Sequence, residues 1–353
     1  MTQPLKVLFA GTADFSATFL TPIIASQHQV IGVVTQPDKV SGRGKKVQMT
    51  KVKEIAVEHN IPVYQFESSL RHPENYQQLL KLDFDILVVV AFGDILPLEL
   101  IDFPKYKSIN VHPSLLPYGR GASPVQTTIA NGDEKTAFCI IKMDETLDTG
   151  DILYWQDVEV AAKETSESLF AKLSALGGPI LIKVLDDIPT YLANAQPQAP
   201  LNVAEPKKTY TRKIKKTAGK FNPELTALTL ERKLRAYTPW PGLYFAYPEK
   251  DEQDIKVIEC NAYANWQSVV ATYEQKGQLN RLQVRANASL RQANLGAELG
   301  MIIAQSSKHL YVLCADDSIL EISAVQLPGK KPMDIKSLRN GYPQLLVPGV
   351  ILN

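Results

Sequence analysis

The stretch Ile86-Leu87-Val88-Val89-Val90-Ala91 is the part of the sequence that says most about the fold. It is apolar throughout and rich in valine, which favours a β-strand over a helix. A strand with no alternating polar residues is buried on both faces, as in parallel sheets that helices cover on either side. The run therefore predicts a central strand of a parallel sheet.

Other short apolar runs alternate with helical patterns through the first half of the chain. Phe15, Phe19 and Ile23, for example, recur at the spacing of one helix face. This alternation predicts an α/β fold with a doubly wound, Rossmann-like, mostly parallel sheet. Ligands of such sheets bind beyond the carboxyl ends of the strands. The other strand candidates here are Leu5–Ala10, Val30–Val34, Ser108–His112 and Phe138–Lys142.

The second half of the chain has a different pattern. The proline-containing stretch Asn194–Lys208 has little apolar periodicity and predicts a linker. We therefore expect a first domain over residues 1–193 and a smaller second domain over residues 209–353. A helical segment at Leu225–Tyr237 precedes several short strands, which favours an OB-like β-barrel of the kind that binds oligonucleotides. These strands are predicted at Ile255–Cys260, Met301–Gln305, Leu310–Cys314 and Ile319–Val325.

The net charge of +1 conceals a difference between the two halves. Residues 1–205 contain 17 basic and 24 acidic residues, a net charge of −7, whereas residues 206–353 contain 21 and 13, a net charge of +8. A basic domain joined to an acidic one indicates a polyanionic partner. The alternative is that charge simply varies between domains.

Composition excludes several classes of protein. Hydrophobic residues make up 45% of the chain and charged residues 21%, which is typical of a globular protein. The three cysteines are scattered, which indicates a reducing compartment. The longest apolar run, Ile86–Phe92, is far shorter than the roughly 20 residues that cross a bilayer, and the N-terminus lacks a signal-peptide pattern. We expect a cytoplasmic monomer without membrane contact.

Several common catalytic motifs are absent from the sequence. It contains no G-x-x-x-x-G-K-[ST], G-x-G-x-x-G, G-x-S-x-G or H-E-x-x-H pattern. The five histidines are widely spaced and form no metal-ligand pair. Covalent and metal-assisted mechanisms are therefore disfavoured, and we expect no metal.

Two polar side chains stand together at the end of one predicted strand. Asn110 and His112 are two residues apart, so they share a face, and Pro113 ends the strand. An amide can donate to a developing oxyanion, and an imidazole can move a proton near neutral pH. Asp148, in the glycine-containing loop Leu147–Asp151, would orient the imidazole if it reaches it. This set suits acyl transfer in which the substrate supplies the nucleophile.

These residues also have an ordinary structural interpretation. An Asn-x-His pair at a strand end usually has satisfied polar groups, and Asp-Thr-Gly is a common turn sequence. The spacing alone leaves both interpretations open.

The sequence around these residues resembles the folate-dependent formyltransferases. The similarity covers nearly the whole length and includes segments of the second half. The motifs that carry it are Gly11–Phe15, Asn110–Pro117, Arg120–Pro124, Leu147–Asp151, Pro239–Gly242 and Gly329–Met333.

The resemblance implies a reaction and a set of site residues. It implies that 10-formyltetrahydrofolate donates the formyl group and that Asn110, His112 and Asp148 are catalytic. The residues that it implies for folate binding are Phe92, Gly93, Ile95, Leu96, Ser114, Leu115, Leu116 and Pro117.

The resemblance also implies that the acceptor is the methionine of initiator methionyl-tRNA, used in translation initiation. Thr35–Asp38, leading into Gly42–Lys46, is similar to an insertion that contacts tRNA. Asp38 to Lys53 holds six basic residues and one acidic residue, and glycines flank Arg43, so this loop can approach phosphates. The residues expected to bind tRNA are Arg43, Lys45, Lys46, Lys207, Lys208, Arg212, Lys213, Lys215 and Lys216.

Four alternatives follow from the same residues. A glycinamide ribonucleotide formyltransferase would share the catalytic residues but lack a basic second domain. A sugar-nucleotide formyltransferase has less need for the lysines after residue 206. A non-enzymatic RNA-binding protein is disfavoured because Asn110, His112 and Asp148 are all present. A nicotinamide-dependent dehydrogenase is disfavoured because the glycine motif is missing.

Overall fold

The computed structural model describes residues 3–41, 46–199, 210–247, 253–276, 283–284 and 298–353. The chain divides into two compact units. The first consists of Met1–Thr128, Glu134–Ala161 and Glu167–Lys213, and the second of Ile129–Asp133, Ala162–Ser166 and Ile214–Asn353.

Strands and helices alternate in the first half of the chain, and strands predominate in the second. Up to residue 199 the elements are β1 (Lys6–Gly11), α1 (Asp14–Ile24), β2 (Gln29–Val34), β3 (Lys39–Ser41), β4 (Lys46–Gln48), α2 (Lys51–Glu58), β5 (Val63–Tyr64), α3 (Pro73–Leu79), β6 (Ile86–Val90), α4 (Leu98–Asp102), β7 (Ser108–His112), β8 (Arg120–Gly121), α5 (Pro124–Asn131), β9 (Lys135–Lys142), β10 (Ile152–Glu159), α6 (Ser166–Asp186) and α7 (Ile188–Ala193). From residue 210 they are β11 (Tyr210–Thr211), a 3-10 helix (Lys216–Gly219), α8 (Ala227–Tyr237), β12 (Leu243–Ala246), β13 (Asp254–Tyr263), α9 (Trp266–Gln275), β14 (Gln283–Val284), β15 (Ile302–Gln305), β16 (Leu310–Leu313), a 3-10 helix (Ala315–Asp317), β17 (Ile319–Gln326), β18 (Met333–Asp334) and α10 (Ile335–Gly341).

The first unit is built around a seven-stranded sheet with the order β10-β9-β7-β6-β1-β2-β5. The pairs among β7, β6, β1, β2 and β5 are parallel, whereas β9 is antiparallel to both β7 and β10. The apolar run at residues 86–91 supplies the central strand β6, and all five residues of that strand are buried. The predicted α/β fold with a mostly parallel sheet is confirmed.

Side chains tie together the carboxyl ends of the central strands. Ser16 Oγ donates to the carbonyl oxygen of Val90 at 2.5 Å, and Thr12 Oγ1 donates to that of Phe92 at 2.7 Å. The chain leaves β6 through Ala91, which has a φ of 42°. It leaves β7 at His112, because Pro113 has no N–H to continue the ladder. The backbone that carries the polar residues at these strand ends is therefore held rigidly.

Helix α6 is the only helix among the described residues that is long and apolar enough to cross a membrane by length and composition. Its Leu169, Leu173 and Leu181 are fully buried. A Cβ on Gly177 would lie 2.2 Å from the ring of Phe138 on β9, so glycine lets the helix approach the sheet closely. These contacts are those of a helix in a protein core, and the absence of membrane contact stays a prediction.

The second unit contains a separate, antiparallel sheet. Its strands follow the order β12-β13-β17-β16-β15-β14, and β18 pairs with β17. Apolar side chains of α8 and α10, among them Leu230 and Leu338, join Val257 and Ile322 of the sheet in one buried core. A distinct C-terminal sheet domain is therefore confirmed. The last residues of the chain bond to two strands of this sheet: the N–H of Ala246 on β12 donates to the carbonyl oxygen of Asn353, and the N–H of Ile302 on β15 donates to that of Val350. The OB-like barrel stays a prediction.

One detail differs from the domain limits inferred from the sequence. Tyr210 and Thr211, assigned there to the second domain, form β11 and pair with Arg120 and Gly121 of the first unit. Proline content marks where helices stop, but it carries no information about such tertiary pairing. The limits at residues 193, 208 and 209 otherwise stay a prediction.

Candidate active site

Asn110 and His112 lie at the end of β7, and the loop between β9 and β10 brings Asp148 to them. The Nδ2 of Asn110 donates to Oδ1 of Asp148 at 3.0 Å, and the Nδ1 of His112 lies 3.5 Å from the same oxygen. The side chains of His112 and Asp148 are only 5% and 8% exposed. The three residues singled out by spacing thus meet at one carboxylate oxygen.

Backbone groups hold two members of this cluster, Asp148 and His112. The N–H of Gly121 donates to Oδ2 of Asp148 at 2.7 Å. The Nε2 of His112 lies 3.0 Å from the carbonyl oxygen of Gly119. Because a carbonyl can only accept, Nε2 carries a proton and donates it there. Nδ1 is therefore the ring nitrogen that faces the carboxylate and can exchange a proton.

The loop that carries Asp148 has a tightly constrained backbone. Asp148 has a φ of 57°, in the left-handed region that aspartate adopts more readily than most residues. A Cβ on Gly150 would fall 1.7 Å from the carbonyl oxygen of Lys142, so only glycine fits at the end of β9. The position of the carboxylate is thus built into the turn.

Gln198 makes contacts with this loop that the sequence pattern did not indicate. Its Nε2 donates to the carbonyl oxygens of Asp148 and Gly150, each at 2.9 Å. Arg120 in turn donates to the Oε1 of Gln198. The sequence analysis places Gln198 in a linker, and although Arg120 belongs to a motif of the family resemblance, that motif does not indicate a contact with Gln198.

A cleft of about 180 Å³ opens beside the cluster. Asn110 and Asp148 line it together with Ile95 and Leu96, two of the eight residues expected to bind folate. Its other lining residues, to which the sequence analysis gives no role of their own, are Arg71, Asp94, Ile101, Ile141, Met143, Asp144, Glu145, Thr146, Leu147, Thr149 and Gly150. The cleft thus joins an apolar wall to charged and polar groups.

The remaining residues expected to bind folate do not line this cleft. Phe92, Ser114, Leu116 and Pro117 are buried, Leu115 is half-buried, and Gly93 is exposed. Leu116 packs against Cys139 and Ile141, while the hydroxyl of Ser114 donates to the carbonyl oxygen of Tyr118. Their role in folate binding stays a prediction.

The residues expected to bind tRNA fall into two groups. Arg43, Lys45, Lys207 and Lys208 lie outside the described residues, and of Lys46 only the backbone, at the start of β4, is described. Arg212, Lys213, Lys215 and Lys216 are exposed. The ammonium of Lys216 lies 2.7 Å from the carboxylate of Asp254, and this hydrogen bond raises its pKa. Binding of tRNA by these residues stays a prediction.

Neither a protein nucleophile nor a metal centre is apparent at the cluster. Cys139 on β9 lies opposite His112 in the strand register. Its buried thiol donates to the carbonyl oxygen of Ser114, and burial raises the pKa of this thiol to about 12. Such a thiol is a poor nucleophile at neutral pH. Within the described part of the chain, no group of three or more His, Cys, Asp or Glu side chains could hold a metal ion.

Comparison with known families identifies the class of protein. The family model described as formyl transferase matches residues 5–185, and the model described as formyl transferase, C-terminal domain, matches residues 213–343. The chain therefore belongs to the formyl transferase family of enzymes.

The names of its curated relatives are more specific than the name of the class. The chain is 35% identical over 352 residues to the methionyl-tRNA formyltransferase of Pseudoalteromonas translucida (strain TAC 125), covering 100% of this chain and 98% of that protein. It is 38% identical over 348 residues to the methionyl-tRNA formyltransferase of Idiomarina loihiensis, covering 99% and 100%.

A solved structure agrees with the fold. The N-formyltransferase from Helicobacter canadensis, in complex with folinic acid and dTDP-3-aminofucose, gives a TM-score of 0.58 at 16% identity. The match covers 90% of this chain and 99% of that one. At this identity the likeness extends to the fold alone.

Proposed function

We propose that this enzyme transfers the formyl group of 10-formyltetrahydrofolate to the α-amino group of methionine on initiator methionyl-tRNA. The observation that carries the proposal is the meeting of Asn110, His112 and Asp148 beside a cleft. This cluster offers an oxyanion donor, a proton carrier and a carboxylate, but no nucleophile. The near-full-length likeness to methionyl-tRNA formyltransferases supports the acceptor. In this proposal the enzyme is a cytoplasmic monomer and needs no metal.

In the first step the α-amine attacks the formyl carbon and a C–N bond forms. Free α-amines titrate at about 7.7–8.0, so a useful neutral fraction exists at pH 7. The Nδ2 of Asn110 carries two hydrogens, of which one donates to Asp148. The other is available to the formyl oxygen as it becomes negative, and preorganised donation of this kind stabilises a transition state strongly.

In the second step the bond between the formyl carbon and N10 of the folate breaks. The proton lost by the amine must reach N10, and the Nδ1 of His112 is the group that can carry it. The Asp148 carboxylate, 3.5 Å from Nδ1, holds the ring in place and offsets the positive charge on it during transfer. The products are the formylated amine and tetrahydrofolate.

The cleft supplies features that suit a folate. Ile95, Leu96 and Leu147 offer apolar surface for a flat ring system. Arg71, in the same lining, offers a cation for the carboxylates of the glutamate tail. Both features line the same cleft as Asn110 and Asp148.

The acceptor fits the charge of the second half of the chain. A net charge of +8 over residues 206–353 suits a phosphate backbone. Phosphate contacts position an RNA without reading its sequence, and enzymes that act on an RNA end recognise mainly shape and unpaired nucleotides.

Formyl transfer tests the proposal directly. The purified protein is given 10-formyltetrahydrofolate with initiator methionyl-tRNA, elongator methionyl-tRNA, free methionine or a dTDP-linked amino sugar in parallel. We expect formylmethionine on the initiator tRNA and release of tetrahydrofolate. Formylation of the amino sugar alone, or of none of the four acceptors, would rule the proposal out.

Replacing Arg43 with alanine is expected to weaken tRNA use and leave the folate unaffected. The KM for initiator methionyl-tRNA should rise, and the slope of log(kcat/KM) against log salt should fall by about one, because one phosphate contact is lost. The KM for 10-formyltetrahydrofolate should not change. Lys81→Ala, which removes an exposed lysine after α3, is the matched control. An equal loss for both substrates would contradict this role of the insertion.

A further inference from the structure

The side-chain amide of Gln198 uses its full hydrogen-bonding capacity. Its two N–H groups face the carbonyl oxygens of Asp148 and Gly150, each at 2.9 Å. Its oxygen accepts from Nη2 and Nε of Arg120, at 2.6 and 3.1 Å. A guanidinium can only donate and a carbonyl can only accept, so these partners fix which way the amide points.

Of the two carbonyls that Gln198 holds, one belongs to Asp148 itself and the other to Gly150, two residues further along the same turn. Asn110 and His112 stand on a strand inside the sheet, where the backbone cannot shift without breaking the ladder. Asp148 lies in a turn and has a φ of 57°, so its position depends on the hydrogen bonds that hold this turn. The N–H of Gly121 donates to the carboxylate of Asp148, and the side chain of Gln198 donates to the backbone of the turn.

Gln198 is itself held by a buried group. Arg120 is only 9% exposed, and among the described residues its guanidinium contacts neutral groups, namely the amide of Gln198 and the hydroxyl and ring of Tyr210. Tyr210 and Thr211 pair with Arg120 and Gly121 as a short parallel ladder, and the Oγ1 of Thr211 donates to the carbonyl oxygen of Arg120 at 3.0 Å. Gln198 and the strand Tyr210–Thr211 therefore both contact the strand Arg120–Gly121, and the N–H of Gly121 in that strand donates to the Asp148 carboxylate.

We propose that Gln198 is a positioning residue of the transfer reaction: it fixes the Asp148 turn so that one carboxylate oxygen meets both Asn110 and His112. The inference rests on the proposed function, because it assigns the purpose of the contact to that chemistry. Displacing a reacting group by about 1 Å can cost on the order of 10²-fold in rate, and supporting contacts commonly contribute roughly 10–100-fold. A loss of that size in kcat is therefore expected when the hydrogen bonds from Gln198 to the turn are removed.

Two substitutions separate positioning from a merely structural role. Gln198→Met keeps the size of the side chain and removes both sets of hydrogen bonds. Gln198→Glu keeps an acceptor for Arg120 but loses the two donors and turns oxygen toward the two carbonyls. Gln196→Met is the matched control, because the Gln196 side chain donates to Asn194 in its own segment while its backbone pairs with Ile152.

Each variant of the full-length protein is measured for kcat, for both KM values, for thermal unfolding and for amide hydrogen exchange over residues 144–151. We expect both Gln198 variants to lose roughly 10–100-fold in kcat with little change in either KM, and to exchange faster in that loop. Gln198→Glu should unfold at a higher temperature than Gln198→Met, since Arg120 keeps its partner. Gln196→Met should match the unsubstituted protein throughout.

Wild-type kcat in Gln198→Glu, unchanged exchange in the loop, or failure of both Gln198 variants to fold would each overturn the proposal. The proposed function fails in a different way, namely if the unsubstituted protein transfers no formyl group. In that case hydrogen exchange still decides whether Gln198 holds the turn, because it needs no substrate. Faster exchange in the Gln198 variants but not in Gln196→Met would support the positioning contact on its own.

Discussion

Replacing Asn110 with alanine is expected to lower kcat for formyl transfer by on the order of 10²–10³, the usual cost of removing one oxyanion donor. The Nδ2 of Asn110 is fixed by its hydrogen bond to Asp148, so its second hydrogen is directed without further loss of entropy. The loss should appear mainly in kcat, because the interaction forms fully only in the transition state. Single-turnover formylation of initiator methionyl-tRNA measures it.

Two further substitutions sharpen this test. Asn110→Asp keeps the shape but removes the donor and adds a carboxylate beside Asp148, so it should be no more active than Asn110→Ala. Asn131→Ala is the control, since Asn131 donates to a neighbouring aspartate, Asp133, on an exposed part of the chain. Turnover of Asn110→Ala within about threefold of the unsubstituted enzyme would remove Asn110 from the proposed mechanism.

The strands that position this residue could be predicted because burial leaves a clear mark on sequence. Residues 86–91 have no polar position, and the structure buries β6 on both faces. The strand predicted at Ser108–His112 has those bounds in the structure, since Pro113 marks its end. Strand β10 was not predicted, because Ile152–Glu159 has four apolar or aromatic residues followed by Gln, Asp, Val and Glu, without the alternation of apolar and polar residues that marks a half-buried strand.

The site could be predicted only in part, because half of its contacts involve backbone. Residue types and spacing make Asn110, His112 and Asp148 candidates, and the family resemblance implies that they are catalytic. The N–H of Gly121 and the carbonyl of Gly119, which hold Asp148 and His112, leave no trace in residue type. Arg71 enters the cleft from the segment before α3 without any recognisable pattern. Contacts of this kind depend on the completed fold.

Replacing Asp148 with asparagine is expected to lower kcat by on the order of 10²–10⁴, the range that a general acid–base arrangement contributes. The carboxylate accepts from Asn110 at one oxygen and from Gly121 at the other. An asparagine has a single oxygen, so its NH₂ would face one of these donors, and a buried donor left without an acceptor costs about 1–3 kcal/mol. The variant also loses the negative charge that offsets a proton on His112.

The matched control is Asp151→Asn, which removes a carboxylate from the same loop but not from the cluster. Both variants are compared by single-turnover formylation, with thermal unfolding to show that each is folded. A loss confined to Asp148→Asn means that the charge at this position, and not the acidity of the loop, serves the reaction. If Asp148→Asn kept most of its turnover, His112 would need no carboxylate to carry the proton. The meeting of three side chains at one oxygen would then be a structural hydrogen-bond network, and the oxyanion donor Asn110 would have to account for catalysis without it.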